Sequence, residues 1–273
     1  MVSQEQRRRQ LAREKFLRQQ QRRTSARRRT HTRNAVIAAV VGVVVAGGAT
    51  AYATGVFESD GKKANAGAGA TPSATPTSKA PDPCEKPAEG KVKSLTWKKE
   101  PAVTIDKSAA YTMKMATTCG DIDIALKASA APHTVNSFDF LAGKGYFDHT
   151  KCHRLTTNGI YVLQCGDPTA QGSGGPGYTI PDENLKDKTL KGNVYPAGTI
   201  AMANTGQKHT GGSQFFLVYQ DSQLPPSYTP FGTISQSGLT VLKKIAAAGE
   251  STGQGDGAPN ATVVVNKLTV TKS

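Results

Sequence analysis

A long uncharged run divides the chain into parts that cannot share one folded core. Between Asn34 and Phe57 none of the 24 residues is charged, and most are alanine, valine or glycine. A helix of this length spans about 36 Å at ~1.5 Å per residue, which is enough to cross a hydrocarbon core of about 30 Å. The run therefore predicts one transmembrane helix at residues 34–57, with the folded part of the chain on one side of it.

Basic residues are concentrated before this run. Residues 1–33 contain twelve lysines and arginines against two glutamates, so most of the formal net charge of +14 belongs to this tail. Positive charge favours the cytoplasmic side of a membrane helix. We therefore expect a single-pass protein of the cell membrane, with a cytoplasmic basic tail that contacts anionic lipid and an extracytoplasmic remainder. No nucleic-acid partner is expected, because the tail lacks the regular interleaving of aromatic residues that such surfaces use.

A cleaved signal peptide is the alternative to the anchor. Ala51-Tyr52-Ala53 resembles the small-residue cleavage site of such a peptide, and cleavage there would release a secreted form. The apolar run is longer than the ~7–15 residues usual for a signal peptide. This length favours the uncleaved anchor.

The next segment has no residue that can anchor a core. Residues 58–91 lack Leu, Ile, Val, Met, Phe, Tyr and Trp. Such a composition cannot bury enough apolar surface to offset the conformational entropy lost on folding. We therefore expect a disordered linker at residues 58–92, which tethers a folded domain at residues 93–273.

Beyond residue 100 the pattern is mainly that of strands. Alternating apolar and polar residues predict strands at 111–116, 121–126, 198–204, 214–219 and 262–270. Residues 132–143 begin with proline and end at glycine, as a helix does, and residues 239–248 predict a second helix. The domain is therefore expected to be mostly β with two helices, although periodicity alone does not separate a barrel from a sandwich.

Two stretches of this domain place polar side chains directly beside apolar ones. Lys151–Arg154 leads to Leu163–Asp167, and Ala201–Gly206 is followed by Gly211–Phe216. Arginine stays charged and carries five donors in a rigid fork, so placing it beside an apolar surface costs free energy. A site that holds a peptide carbonyl while burying an apolar side chain needs this mixture.

These stretches resemble the cyclophilin family of peptidyl-prolyl cis–trans isomerases. The matching elements are His153-Arg154, Gln164-Cys165-Gly166-Asp167, Met202-Ala203-Asn204, Gly212-Ser213-Gln214-Phe215-Phe216 and Phe231-Gly232. The glycine-rich residues 172–178 also resemble a loop of that family. The resemblance covers roughly residues 101–272 and implies a closed eight-stranded antiparallel β-barrel capped by two helices.

The resemblance implies a site that stabilises a twisted X–Pro bond and moves no proton. Rotation about this bond crosses a barrier of about 18–20 kcal/mol, and the prolyl nitrogen regains a lone pair at the top. A donor aimed at that nitrogen acts only on the twisted bond, and by resemblance the catalytic donor is Arg154. Gln164 and Asn204 match the positions that bind the substrate backbone. The proline pocket would consist of Tyr161, Val162, Met202, Phe216, Leu224 and Tyr228, with Ala203 and Thr205 at its rim.

Several positions depart from the family pattern. Nine residues separate Arg154 from Gln164, where seven are expected. Tyr161 and Val162 stand where Phe and Met are usual, and Gln223 and Tyr228 match the tryptophan and histidine near the pocket. The catalytic and backbone-binding positions therefore match the family, whereas the far wall of the pocket differs from it.

The four cysteines lie beyond the anchor, where disulfides persist. Cys152 and Cys165 flank the expected hairpin, so we expect them to pair, which leaves Cys84 to Cys119; buried or free thiols are the alternative. No cofactor is expected. No metal site is expected either, because the adjacent Cys152 and His153 would point to opposite faces of a strand.

Two functions are compatible with these features. The first is a peptidyl-prolyl isomerase with a monomeric catalytic domain, which acts on proline-containing polypeptides outside the cytoplasm and assists their folding. The second is a non-catalytic module or holdase that binds proline segments on the same fold. Retention of Arg154 together with Gln164, Asn204 and Phe216 favours the enzyme.

Overall fold

The computed structural model describes residues 81–272. The strands are β1 (Tyr111–Thr117), β2 (Gly120–Leu126), β3 (Thr150–Lys151), β4 (Arg154–Thr156), β5 (Val162–Cys165), β6 (Val194–Tyr195), β7 (Thr199–Met202), β8 (Phe215–Val218), β9 (Ser222–Gln223), β10 (Pro230–Ile234), β11 (Asp256–Gly257) and β12 (Val264–Lys272). The helices are α1 (Pro132–Gly143) and α2 (Gln236–Ala247).

The basic tail, the apolar run at 34–57 and most of the linker lie outside the described residues, so those predictions stay predictions. Within residues 81–272, neither helix has the length and apolar character needed to cross a membrane.

The main sheet curls until its two ends meet at one short segment of chain. Its ten strands lie in the order β11-β4-β5-β8-β7-β10-β2-β1-β12-β3, and β6 and β9 form a separate pair. Strand β3 is at one end of this order and β4 is next to the other end. Along the chain, however, only Cys152 and His153 separate the two strands. The Cys152 N–H donates to Val263 O at 3.0 Å on one side, and the His153 N–H donates to Gln164 O at 3.1 Å on the other. One bent segment therefore holds both ends of the sheet.

The prediction of a mostly β fold with two helices is confirmed. The structure has ten strands in the main sheet instead of eight. The structure therefore supports a curled, mostly β fold with two helices, and the closed barrel of eight strands stays an expectation of the resemblance. No glycine or proline marks the break at Cys152 and His153 in the sequence.

The core follows the alternation expected of a sheet with one buried face. Met113 and Met115 of β1 are fully buried, whereas Lys114 between them is exposed. Helix α1 buries Val135, Phe138 and Leu141, and its Phe138 lies against Phe147 and Phe231 at ring-centroid distances of 5.2 and 4.7 Å. Strands β7 and β8 are buried along their whole length, so a second apolar layer covers their outer face.

Each helix begins where a carboxylate or hydroxyl accepts hydrogen bonds from its first N–H groups. Helix α1 has no side-chain cap from its own chain neighbour, and the Glu183 carboxylate accepts from the His133 and Thr134 N–H groups at 3.0 and 2.9 Å. In α2, Ser235 Oγ accepts from the Gly238 N–H at 3.1 Å. This cap starts α2 three residues earlier than the sequence pattern predicts.

Residues 81–105 form a strap without regular secondary structure that runs along the domain. At its beginning a disulfide joins Cys84 to Cys119, and the Glu85 N–H donates to Thr118 O at 2.8 Å. The strap overlaps the predicted linker at residues 81–92. At that end the chain is therefore tied to the domain both covalently and by backbone pairing.

The middle of the strap is held by an aromatic contact. The Trp97 ring meets Phe140 edge-on at 5.1 Å between centroids and lies 6.1 Å from Tyr146. The backbone N–H of Trp97 donates to Pro176 O at 2.8 Å, and this hydrogen bond joins the strap to the glycine-rich loop. Further on, Asn136 Oδ1 accepts from the Thr104 N–H at 2.9 Å. The strap is thus fixed on both sides of residues 98–100.

The second disulfide joins Cys152 to Cys165, so the pairing in the structure is the one expected from the hairpin. We predict that the two disulfides contribute unequally to stability. The closed loops have sequence separations of 35 residues for Cys84–Cys119 and 13 for Cys152–Cys165. In the chain-entropy model, replacing both cysteines by serine then costs about 4 kcal/mol and about 3 kcal/mol, respectively.

Urea unfolding of the full-length variants, followed by the fluorescence of Trp97, the sole tryptophan, measures both losses. A serine double variant as stable as the wild type would contradict the prediction for that disulfide.

Candidate active site

A row of residues crosses the outer face of four neighbouring strands. In the strand register Arg154 lies opposite Gln164, Gln164 opposite Phe216, and Phe216 opposite Ala201. Side chains directly opposite one another in antiparallel strands share a face. Strands β4, β5, β8 and β7 therefore bring an arginine, a glutamine and a phenylalanine together from distant parts of the sequence.

The adjacent row of residues on the same four strands shows that the row with Arg154 lies on the outer face of the sheet. Leu155 lies opposite Leu163, Leu163 opposite Leu217, and Leu217 opposite Ile200. All four are at most 1% exposed and belong to the main core. Because successive residues of a strand point to opposite faces, burial of this row places Arg154 and Gln164 outside. A register shift by one residue would bury the guanidinium.

An apolar patch lies beside Arg154 on the outer face. It consists of the buried residues Val162, Tyr195, Ala201, Phe216 and Val218, with Ile160, Leu190, Ala203, Leu224 and Tyr228 packed against them. The Tyr228 ring stands edge-on to Phe216 at 5.4 Å between centroids. The Tyr195 hydroxyl donates to Tyr228 O at 2.8 Å and accepts from the Tyr228 N–H at 3.2 Å. Tyr195 therefore fixes the wall that Tyr228 forms.

The Arg154 guanidinium is held by three hydrogen bonds. Its Nε and Nη2 atoms donate to the two carboxylate oxygens of Asp256, both at 2.7 Å, and Nη1 donates to Gln164 Oε1 at 3.2 Å. A guanidinium has five N–H groups, so one on Nη1 and one on Nη2 remain for a ligand. The Arg154 side chain is 40% exposed, so a ligand can reach these two donors.

The ion pair keeps both groups charged. The hydrogen bonds that Arg154 donates to Asp256, and the negative charge of Asp256, raise the pKa of Arg154, although burial opposes this. In return, the hydrogen bond from Arg154 holds the pKa of Asp256 below its usual range. The two parallel hydrogen bonds to one carboxylate fix the plane of the guanidinium. A single hydrogen bond would leave that plane free to rotate.

A chain of amide hydrogen bonds continues from Arg154 to the glycine-rich loop. Gln164 Nε2 donates to Gln214 Oε1 at 2.9 Å, and Gln214 Nε2 donates to Gly174 O at 2.9 Å. The buried Asp167 carboxylate accepts from the Gly174 N–H at 3.0 Å. Burial alone would raise the pKa of Asp167, but hydrogen bonds from the loop outweigh it and lower the pKa. The loop is thus held by a buried carboxylate.

A cleft of about 890 Å³ extends from Gln164 along this loop. Its lining includes Lys98, Lys99, Glu100, Gln164, residues 172–179, Ala203, Asn204, Thr205, Thr210 and residues 212–214. Asn204 Nδ2 donates to Ser227 O at 2.8 Å, and its Oδ1 accepts from the Gly206 N–H at 3.0 Å. The Asn204 side chain therefore joins its own loop to the segment between β9 and β10.

Most of the expected site residues lie together. Arg154, Gln164, Phe216 and Val162 share the outer face, Leu224, Tyr228 and Ala203 pack in the apolar patch, and Asn204 and Thr205 line the adjoining cleft.

Met202 and Tyr161 are placed differently from the expectation, because both pack with the main core. For Met202 the reason is strand alternation, which gives the outer position to Ala201. Gln223 lies exposed on β9, outside the apolar patch.

Three residues of the site were missed by the sequence reasoning. Gln214 lies two residues before Phe216 in the sequence. Strand alternation therefore places both side chains on the same outer face, and this spacing could have indicated Gln214 as a site residue. Tyr195 lies in a two-residue strand that no pattern predicts. Asp256 is 102 residues from Arg154, and nothing in its Gly-Asp-Gly surroundings indicates an arginine partner.

Comparisons with known proteins agree on one family. The family model described as "Cyclophilin type peptidyl-prolyl cis-trans isomerase/CLD" matches residues 112–270. The "Probable peptidyl-prolyl cis-trans isomerase B" of Mycobacterium leprae is 48% identical over 198 residues, which cover 70% of this chain and 63% of that protein. The "Peptidyl-prolyl cis-trans isomerase B" of Bacillus subtilis is 40% identical over 128 residues, 46% of this chain and 82% of that protein.

A solved structure agrees with these matches. The cyclophilin-type peptidyl-prolyl cis-trans isomerase of Cryptosporidium parvum superposes with a TM-score of 0.50 at 25% identity, covering 60% of this chain and 99% of that one. The chain spans only 63% and 54% of the lengths of its M. leprae and M. tuberculosis relatives.

We predict that Asp256 alone fixes the Arg154 Nε–H. In Asp256→Ala, exchange of this proton with water should accelerate by at least about tenfold, because its acceptor is lost. In Asp256→Asn the acceleration should be smaller, since one oxygen remains. Arg154 is the only arginine after residue 33, and the Nε–H signal that is lost in Arg154→Lys identifies it in the full-length protein labelled with nitrogen-15 arginine.

The same signal tests the direction of the pKa shift. Because the pKa of Asp256 is lowered on folding, the ion pair is complete above the ordinary aspartate pKa of about 3.9 and is lost only as the pH falls through the lowered value. Protection of the Nε–H that disappeared already near pH 5 would contradict this assignment.

Proposed function

The chain belongs to the cyclophilin-type peptidyl-prolyl cis–trans isomerase family, and on this premise we propose that it isomerises X–Pro bonds in polypeptides. The observation that carries the proposal is the row of Arg154, Gln164 and Phe216, in which two free guanidinium N–H groups lie beside an apolar surface. Such a site can hold a proline ring and offer a donor to its nitrogen at the same time.

The chemistry follows from where each group lies. Phe216, with Val162 and Val218 beside it, offers the apolar floor for the proline ring. Gln164 and the backbone near Asn204 offer hydrogen bonds to the peptide on either side. The remaining Arg154 N–H groups donate to the prolyl nitrogen when its lone pair appears in the twisted bond. This contact lowers the barrier because the planar ground state does not make it.

No group of this site needs to gain or lose a proton. Arg154 and Asp256 stay charged, and the site row contains no histidine. His153 lies next in the chain, where both ring nitrogens are buried without a hydrogen-bond partner among residues 81–272, and burial lowers its pKa. It is therefore neutral at pH 7 and has no access to a reacting atom.

The cellular role is proposed from the sequence and the disulfides together. Two disulfides fit an oxidising compartment outside the cytoplasm. The uncharged run at 34–57 and the basic residues before it fit a single-pass membrane anchor. We assign the protein to the folding of proline-containing clients on the outer face of the membrane, with a monomeric catalytic domain.

The first test removes the donor. Arg154→Ala should lower kcat/KM on an Ala-Pro peptide by at least about tenfold, about 1.4 kcal/mol, because the transition state loses its hydrogen bond. Lys114→Ala is the matched control, since Lys114 on β1 forms an exposed ion pair with Asp121 on β2, away from the site. Line-shape or exchange NMR of the peptide with full-length protein measures the rate without a coupling protease.

The two variants separate the candidate functions. An isomerase loses activity only in Arg154→Ala, while a non-catalytic proline-binding module shows no rate enhancement in any variant, the wild type included. A folded Arg154→Ala variant with wild-type kcat/KM would remove Arg154 from the catalytic role.

The second test is the pH dependence. Activity should be nearly constant between about pH 6 and 8, because no group of the site titrates in that range. The pKa of Arg154 is raised and the pKa of Asp256 lowered, so their pair persists throughout, and burial lowers the pKa of His153, which favours its neutral form. A rise in kcat/KM with a midpoint near 6.5 would show that a histidine takes part.

A further inference from the structure

The strap brings two lysines to the rim of the cleft that begins at Gln164. Lys98 and Lys99 line the cleft together with the glycine-rich loop and residues 203–205. Both lysines precede residue 112, where the match to the family model begins. The charge they place at the cleft is therefore a property of this chain's extension.

The backbone that carries these lysines is held on both sides. Trp97, the residue before them, donates its N–H to Pro176 O and packs against Phe140. The glycine-rich loop packs closely against the backbone of Trp97. Gly177 in this loop has φ +86°, and a Cβ atom there would lie 2.7 Å from Trp97 O. After them, Asn136 donates to Ala102 O at 3.1 Å. The two lysines thus extend from a fixed part of the strap.

The charges around the cleft favour an anionic ligand. Neither Lys98 nor Lys99 has an ion-pair partner within the described part of the chain. The one carboxylate in the lining, Glu100, already binds His133 Nδ1 at 2.7 Å. Nearby, Glu183 accepts hydrogen bonds from the start of α1, and Asp167 is occupied by the loop. An incoming carboxylate would therefore meet two unpaired ammonium groups.

We propose that Lys98 and Lys99 form a subsite that selects client segments with an aspartate or glutamate a few residues from the proline. This deepens the proposed function, since it names the substrate class of the same site. A peptide bound at Phe216 and Gln164 enters the cleft directly, because Gln164 belongs to both the site row and the cleft lining. The acidic side chain then reaches the lysines while the proline occupies the apolar patch.

The expected selectivity is modest, because the lysines are exposed. An exposed ion pair corresponds to a factor of roughly 1.5 to 5 in a binding constant, so two lysines together give roughly twofold to twenty-fivefold, and we expect a preference of about threefold to tenfold within that range. The preference must fall as salt is added, because screening weakens exposed charges.

The test uses full-length protein and nine-residue peptides with a central Ala-Pro. Glutamate, glutamine or lysine is placed in turn at each other position, and kcat/KM is measured by exchange NMR, which needs no protease. We expect at least one position where glutamate exceeds its isostere glutamine by about threefold to tenfold. In the Lys98→Gln/Lys99→Gln double variant this ratio should return to about one, and in Lys98→Glu/Lys99→Glu it should invert.

The matched control is Lys243→Gln/Lys244→Gln, which removes the same adjacent pair of charges from the exposed face of α2. This control variant should keep the glutamate preference and should isomerise the peptide that has no charged residue at the wild-type rate. Equal rates for glutamate and glutamine at every position overturn the proposal. So does a preference that survives in Lys98→Gln/Lys99→Gln or disappears in the control.

Failure of the proposed function is distinguishable from failure of the subsite. If the wild type leaves every peptide at its uncatalysed rate, the isomerase assignment fails. Binding can then still be measured by the fluorescence of Trp97, which adjoins Lys98. Glutamate peptides that bind about threefold or more tighter than glutamine peptides, only when both lysines are present, support the subsite; equal binding overturns it.

Discussion

The bend between β3 and β4 is the constraint on which the site depends. At Cys152 and His153 successive backbone N–H groups donate to opposite ends of the curled sheet, to Val263 and to Gln164. This closes the curl through one chain segment and sets Arg154 directly across from Gln164. The disulfide from Cys152 to Cys165 spans the same junction. The neighbouring row of Leu155, Leu163, Leu217 and Ile200 is buried in the core. Because side chains alternate between the two faces of a strand, the Arg154 guanidinium must lie on the outer face, on the side of the sheet that carries Phe216.

The exposed ion pair between Arg154 and Asp256 orients the guanidinium and contributes little to the free energy of unfolding. Arg154 and Asp256 are 40% and 54% exposed, and ion pairs at such exposure contribute about 0–1 kcal/mol to folding. Yet the two parallel hydrogen bonds to Asp256 take Nε–H and one Nη2 proton, Gln164 takes one Nη1 proton, and one N–H on each Nη atom stays available. A lysine at this position could not divide its donors in this way, because its ammonium has no fixed plane. The arrangement explains why an arginine carries the proposed chemistry.

The sequence predicted the central residues of the site better than it predicted the groups that orient them. Alternation located β1, β2, β7, β8 and β12, whereas Arg154 on β4 and Gln164 on β5 were located only by the resemblance, together with Phe216 on β8. Asp256 and Tyr195 were beyond reach, because their roles arise from closure of the curled sheet and from a two-residue strand pair. Met202 was assigned to the pocket by resemblance, whereas the alternation of β7 places it in the core and gives Ala201 the outer position.

The strap shows why composition is a poor guide to where the folded unit begins. Residues 81–92 are as poor in large apolar side chains as the rest of the predicted linker, and entropy alone would leave them unfolded. A covalent bond at Cys84 and a backbone hydrogen bond from Glu85 hold them instead, with little apolar burial. Once the strap is held there and at Trp97, the residues between Trp97 and Pro101 have few conformations left. Two flexible lysines thereby acquire a defined position at the cleft, which a free linker could not provide.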